Sequence, residues 1–514
     1  MPQRSFLACF VVAFLALAGV ALAANGPLLS TIGSKGPVDL PVDGDGWSMF
    51  RMPSSIGWNV DTEIDLDMFL FTSKTQLRNA VPGTDTGNNL SKEGATFGAN
   101  GGVVVPLGRL NEDSSDEEWD TYSDAGKITF GFGIFVDMAG GTGGSTKVRY
   151  TTYPETIPQR AGIQFVAPTL VVAFTPTEWL SLGVGLHAIY GKVEIRSVVG
   201  GGSTPLNGSP QLNGTDFPGS PSYADFLSLF SNDNASDPTT YFKADLTAIQ
   251  FSATLSASFR IGNRVGIGLS YRPRSWAPEN LSGDGLVDSG RTFQQALGGL
   301  APGLQSIFLS TLPNGGANGF AADYDIEMRS IYVPRQIRMS VVVWPVDRVV
   351  IGAEIAWIEW HRAFRRFNLS LKSGNNEDVN FVVGSNRIDT TLDQRWRNRW
   401  AFSLYTAIAV YQRDLEEIPT GVVVDNLTLR FGINYSDIAV NEDVSNNSPN
   451  AAFVTTNLNV GASLQMGMFT IHSMVEHGFY GSARSNDRPQ SLTGKNTFYS
   501  ATQWFYHFGL TVRF

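Results

Sequence analysis

The sequence predicts an all-β fold, namely a transmembrane antiparallel β-barrel of about fourteen strands with an N-terminal plug, or hatch, segment and short helices in extracellular loops. Three observations predict it. Apolar and polar residues alternate along many segments, the chain opens on an apolar leader, and tight turns alternate with long connections between the segments. The alternation has most weight, because a strand between lipid and lumen must direct every second side chain into each.

Alternation is clearest in the last segment, where Trp504, Tyr506 and Phe508 share one face while Gln503 and His507 share the other. The first segment repeats the pattern, with Asn59, Asp61, Glu63, Asp65 and Asp67 facing inward against Trp58, Val60, Ile64, Leu66, Met68 and Leu70 facing outward. A soluble β-sandwich also alternates. The strand lengths, the leader and the aromatic residue at the end of the last strand favour the barrel.

The segments predicted as strands number about fourteen, and an even number is usual in single-chain bacterial barrels. They are residues 57–71, 95–107, 127–138, 163–174, 180–196, 245–261, 264–274, 330–345, 348–371, 398–412, 425–437, 452–467, 468–480 and 498–514. The connections at 175–178, 262–264, 345–347 and 466–468 are tight, whereas those at 197–244, 275–329 and 372–397 are long. This asymmetry predicts periplasmic turns and extracellular loops, with the acidic stretch 112–124 as a solvated periplasmic loop.

The first 23 residues have the pattern of a secretory signal peptide. Arg4 precedes an apolar run that ends at Leu22, and the small-residue pattern Ala21-Leu22-Ala23 predicts cleavage before Ala24. An N-terminal membrane helix is the alternative, but the run is short and no stop-transfer charges follow it. We therefore expect export, and localisation of the chain to the cell outer membrane.

Residues 24–52 lie between the leader and the first strand, and a barrel does not need them for its wall. They are rich in Gly and Pro but include the apolar residues Leu29, Ile32 and Phe50. The lumen of a barrel of this width needs filling, so we predict that 24–52 forms a plug and that 53–514 forms the barrel. A disordered tail is the alternative.

Two of the long connections contain apolar residues at helical spacing. These stripes are Tyr223, Phe226, Leu227 and Phe230 in the first, and Phe293, Leu297, Leu300, Leu304, Ile307 and Phe308 in the second. Apolar helices on the outer rim can form a capture groove for a hydrophobic ligand, or they can pack on each other, and both interpretations can hold together.

Composition and motifs give little support for catalysis, a metal or a cofactor, and we predict none. Cys9, the only cysteine, lies in the leader, and the net charge of −10 disfavours a nucleic-acid partner. Asp43-Gly44-Asp45-Gly46 lacks the later acidic positions of a calcium loop. A hydrolase is disfavoured because His472 and Ser473 are adjacent and so face opposite sides of a strand.

Three stretches of the chain resemble strands of a known family. They are Gln164 to Leu170 followed by Glu178 to Leu186, which form a strand-turn-strand, Val265 to Arg272 in a later strand, and Tyr332 to Gln336 at the start of another. The family that they resemble is the FadL/TodX family of outer-membrane transporters of long-chain fatty acids and aromatic hydrocarbons. The resemblance spans most of the mature chain.

The resemblance implies an outer-membrane channel for the diffusive uptake of hydrophobic small molecules. It implies that ligand adsorbs to the outer loops, enters a lumen pocket, and leaves when the plug shifts or through a gap in the wall. The predicted ligand contacts are Phe226, Phe230, Phe293, Leu297 and Phe308 on the loops, Leu29, Ile32 and Phe50 on the plug, and the inward cations Arg260 and Arg338.

Two other functions stay open from the sequence, a general hydrophilic porin and a surface adhesin or structural barrel. A porin would have a constriction lined by opposed charges, which Asp61, Glu63, Asp65 and Arg338 could supply in part. The expected partners are a hydrophobic substrate and the lipids or lipopolysaccharide of the outer membrane, and we expect a monomer.

Overall fold

The computed structural model describes residues 38, 40–42, 44–78, 89–90, 94–109, 126–141, 146–149, 156–200, 211–212, 215–216, 238–262, 264–298, 301–329, 331–393, 396–413, 424–437, 455–484 and 498–514. Long strands form its wall, and we number them in chain order. They are β1 Glu63–Arg78, β2 Gly94–Arg109, β3 Lys127–Gly141, β4 Thr156–Thr177, β5 Leu180–Gly200, β6 Pro238–Ile261, β7 Val265–Arg272, β8 Gln336–Val346, β9 Val349–Ile358, β10 Arg399–Gln412, β11 Asn426–Ser436, β12 Thr456–Met466, β13 Phe469–Arg484 and β14 Phe498–Arg513.

The wall is closed because the first strand pairs with the last. All 16 residues of β1, from Glu63 to Arg78, lie opposite residues of β14 in antiparallel register. The other neighbouring strands of the wall are also antiparallel. An open edge in lipid would leave N–H and C=O groups unpaired. The predicted closed barrel of 14 strands is confirmed.

The predicted alternation of side chains is present in the wall. In β14, Trp504, Tyr506 and Phe508 are exposed on the outer surface. Asp65 and Asp67 in β1 are buried and face the lumen. Apolar side chains therefore meet the lipid while carboxylates and other polar groups turn inward, as in other transmembrane barrels.

At two predicted strands, the chain leaves the wall where the sequence predicts strand. The first strand begins at Glu63 and not at 57, because Pro53–Trp58 forms a 3-10 helix and Trp58 is buried rather than outward. The predicted strand 348–371 is interrupted, since β9 ends at Ile358. In both cases the chain leaves the wall and packs its apolar side chains elsewhere.

The predicted tight turns join β4 to β5, β6 to β7, β8 to β9 and β12 to β13. They lie at one end of the barrel, which we call the turn end. The long connections that the structure describes lie at the opposite end, the loop end. The predicted loop at 197–244 is shorter at both ends than expected, because β5 continues to Gly200 and β6 starts at Pro238. The acidic stretch 112–124 lies outside the described residues.

Four further strands extend the wall beyond the loop end, and we call them the outer sheet. The first pairs with the upper part of β6, and the others follow in antiparallel order. They are Leu281–Asp288, Ala321–Arg329, Arg366–Lys372 and Ile388–Asp393. The short strands Asn89–Leu90, Thr146–Arg149, Gln211–Leu212 and Thr215–Asp216 complete the described strands.

The α-helices at the loop end are α1 Gly290–Gly298, α2 Pro302–Thr311, α3 Trp360–Ala363 and α4 Glu377–Val383. The predicted stripe from Phe293 to Phe308 thus forms two helices, with Pro302 at the start of the second. The stripe around Phe226 lies outside the described residues. None of the helices in the described ranges is long and apolar enough to cross a membrane.

The chain before β1 lies inside the barrel. We call its described part, residues 38, 40–42 and 44–59, the luminal segment, which contains the 3-10 helices Ser48–Phe50 and Pro53–Trp58. Met49, Met52 and Ile56 are fully buried. The segment touches inward-facing atoms of strands on all sides of the wall, including β1, β5, β7 and β9, which is possible only from within the lumen.

Hydrogen bonds hold the luminal segment against β4, β5 and β6. Ser54 N donates to Ser256 Oγ at 2.7 Å, and Ser181 Oγ donates to Ser54 O at 2.8 Å. Thr175 Oγ1 donates to Gly57 O at 3.0 Å. These contacts lie near the turn end, so this part of the segment occupies that half of the lumen.

A wall glycine permits this close packing. A Cβ added to Gly183 in β5 would collide with the backbone of Pro53 and Ser54. Because the obstacle is backbone on both sides, a rotamer change could not relieve the clash. Only glycine at position 183 lets the luminal segment lie directly on the strand.

We expect Gly183→Ala to displace the luminal segment and to raise the ion conductance of the barrel in planar lipid bilayers. The wall itself should persist, since its strand ladder is unchanged. The control is Gly303→Ala in α2, where an added Cβ would meet no atom within 4 Å. Equal conductance of both variants and the parent would contradict the expected role of this contact.

Candidate functional site

A small cavity lies between the luminal segment and the loop end of the barrel. It has room for about one water molecule. Its lining is Phe50, Arg51, Asp137, Thr254, Ser270, Arg272, Gln336 and Arg338. The luminal segment contributes two of these side chains, and β3, β6, β7 and β8 contribute the others.

A bidentate ion pair spans the cavity from β3 to β7. Arg272 donates through both terminal nitrogens to the two carboxylate oxygens of Asp137, each at 2.6 Å. The two side chains are only 6% and 1% exposed. In such a buried environment, a charge is stable only if it is paired and hydrogen-bonded, so each residue depends on the other.

Asp137 reaches the cavity because β3 bulges there. The pairing of β3 with β4 shifts register between Val136 and Met138, which leaves Asp137 as an extra residue. Asn100 Oδ1 accepts a hydrogen bond from Val136 N at 2.8 Å. The bulge disrupts the ladder locally, and the Asn100 side chain supplies a partner for one of its amides.

Phe50 is the tip of the luminal segment at the cavity. Its ring stacks on Phe135 at 4.8 Å between centroids and meets the His187 ring edge-on at 5.0 Å. The Arg272 guanidinium lies 5.2 Å from the centroid of Phe50. The ring therefore contacts both the apolar wall and the cation of the buried ion pair.

A second ion pair holds Arg338 on the adjacent strands. Arg338 donates to Glu354 Oε1 in β9 at 2.7 Å and to Gln336 Oε1 at 3.1 Å. Both charged side chains are only 4% exposed. Arg338 thus faces the lumen, as predicted, with its charge already matched.

The chain segment before β8 lies on the loop side of the cavity. Gln250 Nε2 in β6 donates to Ile331 O at 3.0 Å, and Val333 N donates to Ser275 Oγ at 2.8 Å. Ser275 Oγ in turn donates to Gln250 Oε1 at 2.6 Å. Ile331 and Val333 are buried, so the cavity has apolar cover on this side.

A continuous apolar cluster connects the luminal segment with the outer loops. It begins at Phe50 and Ile56 and continues through inward-facing residues of β3 to β6. It ends among the helices and strands of the loop end. Its inward-facing members include Phe135, Phe165, Ile189, Val193 and Leu246.

A polar network occupies the opposite side of the lumen. His472 in β13 contacts Ser463 Oγ at 2.6 Å through Nδ1 and Thr511 Oγ1 at 2.9 Å through Nε2. Thr511 donates to Asp65. Asp65 Oδ2 accepts from Gly46 N at 2.6 Å, which anchors the luminal segment to this side of the wall.

The loop-end helices pack their apolar side chains inward. Phe293 stacks on Phe320 at 3.9 Å and is 2% exposed, while Phe308 is 3% exposed. Leu297 is half-buried against the same cluster. Of the three predicted contacts on these helices, Leu297 is therefore the one that solvent reaches most readily.

Tyr324 and Glu327 of the outer sheet have shifted pKa values but keep their usual charge states near pH 7. Burial raises the pKa of Tyr324 to about 12, so this phenol is neutral near pH 7. The hydrogen bond from Lys372, at 2.5 Å, lowers the pKa of Glu327, which stays ionised. No group of three or more His, Cys, Asp or Glu side chains in the described ranges is placed to hold a metal ion.

The structure brings two of the predicted site residues together, since Phe50 and Arg338 both line the cavity. Arg260 does not line it, because it lies at the turn end of β6, where its amide donates to Trp179 O at 2.9 Å. Leu29, Ile32, Phe226 and Phe230 lie outside the described residues. The proposed ligand contacts themselves stay predictions.

Sequence reasoning missed Asp137, Arg272 and the apolar inner wall. A signal for the inner wall was present, since Ile134-Phe135-Val136 breaks the alternation and indicates a strand that is apolar on both faces. Asp137 stands directly after this run as a lone carboxylate. Its partner is 135 positions away, and nothing in a single sequence indicates that pairing.

Comparison with known proteins agrees with this architecture. Residues 123–451 match the model of a family described as outer membrane protein transport protein (OMPP1/FadL/TodX). No curated protein matched the chain.

Solved structures with the same fold include three proteins with low sequence identity to this chain. A Pseudomonas aeruginosa FadL homologue is 14% identical, with a TM-score of 0.59 over 96% of this chain and 97% of that one. The Ralstonia pickettii toluene transporter TbuX is 13% identical, with a TM-score of 0.59 and coverage of 95% and 99%. The P. putida toluene transporter TodX is 12% identical, with a TM-score of 0.63 and coverage of 96% and 99%.

We expect Asp137→Ala to destabilise the barrel by about 3–5 kcal/mol, because it leaves the buried Arg272 charge without its partner. Urea unfolding in lipid vesicles measures this loss. The double variant Asp137→Leu with Arg272→Met should recover most of it, since an apolar pair leaves no buried charge.

The control for this experiment is Asp347→Ala, which removes the partner of Arg264 at the turn end. Those side chains are 88% and 55% exposed, so the loss should be about 0–1 kcal/mol. An equal loss in the free energy of unfolding for Asp137→Ala and Asp347→Ala would show that the buried pair stabilises the barrel no more than the exposed pair does.

Proposed function

Because the chain belongs to the outer membrane protein transport protein family (OMPP1/FadL/TodX), we propose that it is a channel for the diffusive uptake of hydrophobic small molecules. Its place in the family makes it an outer-membrane transport barrel. The observation that supports a hydrophobic substrate is the continuous apolar cluster from the loop-end helices to Phe50. A hydrophobic molecule can exchange contacts along such a surface without being transferred back into water.

Features of the lumen support a stepwise route. Ligand first adsorbs at the loop end, where Leu297 is accessible, and reaches the contacts of Phe293 and Phe308 when the helices separate. It then moves along the inner wall to Phe50. The luminal segment acts as the plug, and release requires that it shift or that the wall open beside it.

The ion pairs of the cavity favour an uncharged substrate. Arg272 and Arg338 face the cavity, but Asp137 and Glu354 already neutralise them. A fatty-acid carboxylate would have to compete with these buried carboxylates, whereas an aromatic hydrocarbon would not. Of the two substrate classes that the family resemblance implies, we therefore favour aromatic hydrocarbons over long-chain fatty acids.

The same features disfavour the two alternative functions. A hydrophilic porin needs a water-filled passage, whereas here the luminal segment lies in the lumen and packs against an apolar inner wall. The function of an adhesin or a purely structural barrel does not require an apolar path through its interior. A catalytic activity is not part of the proposal, because the family is one of transport proteins.

The driving force of the proposed transport is the concentration gradient. Burial of apolar ligand surface contributes roughly 25 cal/mol per Å² and accounts for capture. Each step must also allow release, so no single site should bind tightly. We further propose that the channel acts as a monomer in contact with outer-membrane lipids, since the closed lumen requires no second copy.

The decisive experiment compares cells that lack the protein with cells that express it. Labelled toluene should enter faster when the protein is present. The entry rate of labelled oleate should increase less, and that of a labelled disaccharide should not change. Equal toluene entry at confirmed expression in the outer membrane would refute the proposal. Faster disaccharide entry with the intact plug would instead identify a porin.

The capture step makes a second prediction. Leu297→Asp places a charge on the accessible apolar surface of α1, so toluene uptake should fall several-fold at low concentration and recover at saturation. Ser306→Asp in α2, an exposed position on the neighbouring helix, is the matched control. A loss that persists at saturating toluene, or that both variants share, would contradict a capture role for Leu297.

A further inference from the structure

A row of apolar and aromatic residues crosses the outer surface at the loop ends of β7 to β10. Tyr271, Ile337, Trp357 and Trp400 lie opposite one another in consecutive strand pairs. Tyr271 is 39% exposed and Trp400 is 47% exposed. Tyr and Trp concentrate at the membrane–water interface, so this row indicates the depth of the outer-leaflet headgroups.

Arginines lie directly beyond the aromatic row. The Arg335 guanidinium lies 5.3 Å from the centroid of the Trp357 ring and donates to Glu359 at 2.8 Å. Arg362 approaches the same carboxylate at 3.5 Å and is 68% exposed. The Glu359 carboxylate thus contacts two guanidinium groups beside the aromatic row, on the outer face of the barrel.

Three more exposed arginines extend this surface. Arg365 and Arg366 follow α3, and Arg397 precedes β10. The two chain segments are joined by hydrogen bonds from His361 N to Asn398 Oδ1 at 3.0 Å and from Trp396 N to Phe364 O at 3.4 Å. We call the resulting surface the arginine rim. It consists of Arg335, Arg362, Arg365, Arg366 and Arg397.

The charge of the rim contrasts with that of the whole chain, which is −10. The carboxylate at its centre, Glu359, is shared between two guanidinium groups. Asp393 lies opposite Arg366 in the strand register, and Asp437 N donates to Trp400 O at 3.2 Å. The five rim arginines therefore outnumber the three acidic residues at the adjacent positions of the chain, which leaves a net positive formal charge here.

We propose that the arginine rim binds the phosphate groups of lipopolysaccharide in the outer leaflet. Guanidinium groups bind phosphate in a bidentate manner, and several of them at headgroup depth provide the geometry for a multiply phosphorylated lipid. The aromatic row below contacts the upper acyl chains. This inference rests on the outer-membrane location of the chain and is independent of the transported substrate.

The experiment measures binding of lipopolysaccharide to the purified, full-length barrel in detergent. Parent protein should bind phosphorylated lipopolysaccharide, and enzymatic removal of the phosphates should abolish most of the binding. The triple variant Arg362→Gln, Arg365→Gln and Arg366→Gln should bind at least about tenfold more weakly. The matching triple Lys variant should retain part of the affinity, because it keeps the charge but not the bidentate geometry.

Arg264→Gln is the control, since it removes an exposed arginine at the turn end, and it should bind like the parent. Heat-dependent gel mobility verifies that each variant is a folded barrel. Equal binding by the parent and the folded triple Gln variant would overturn the proposal. Equal affinity for phosphatidylglycerol vesicles would also overturn it, because the rim would then recognise any anionic lipid.

Discussion

Closure of the wall is the constraint on which the rest of the structure depends. Lipid offers no hydrogen bonds, so every strand needs a partner on both sides, and the ladder between β1 and β14 supplies the last pair. A wall closed in this way has a fixed circumference, and with 14 strands it encloses more space than its own inward side chains fill. The luminal segment is therefore a consequence of closure, because that space must hold either water or protein.

The contents of the lumen divide into two sides with different chemistry. Around β13, β14 and β1, hydrogen bonds through His472, Thr511 and Asp65 fasten the luminal segment. Around β3 to β6, hydrogen bonds with Thr175, Ser181 and Ser256 hold the segment Pro53–Trp58 near the turn end, whereas Phe50 belongs to the apolar cluster that continues outward to the loop-end helices. The luminal segment is thus anchored by hydrogen bonds on both sides of the lumen, while the Phe50 ring makes only ring contacts with Phe135, His187 and Arg272. On the proposed route, a hydrophobic molecule competes with Phe50 for these contacts while the anchors persist.

The strands of the wall could be predicted from the sequence because their pattern depends on residues that are close together in the chain. Alternation at Trp504, Tyr506 and Phe508 requires only knowledge of neighbouring residues, and so does the tight turn at Gly467. The cavity could not be predicted in this way. Asp137 meets Arg272 only because β3 bulges and β7 lies across the lumen, and Trp58 is buried only because the chain before β1 folds inward. Those features depend on the closed tertiary arrangement, in which distant residues first become neighbours.

The filled lumen has a consequence for the cell that contains it. An outer membrane excludes polar solutes only if its channels are not open, water-filled pores. One apolar layer across a channel is enough to interrupt a continuous path of water. In this barrel, the stacked rings of Phe50 and Phe135 lie beneath a cavity with room for about one water molecule. Uptake of hydrophobic molecules by the same barrel then need not weaken the permeability barrier, because a hydrated solute would have to give up hydrogen bonds to pass these rings.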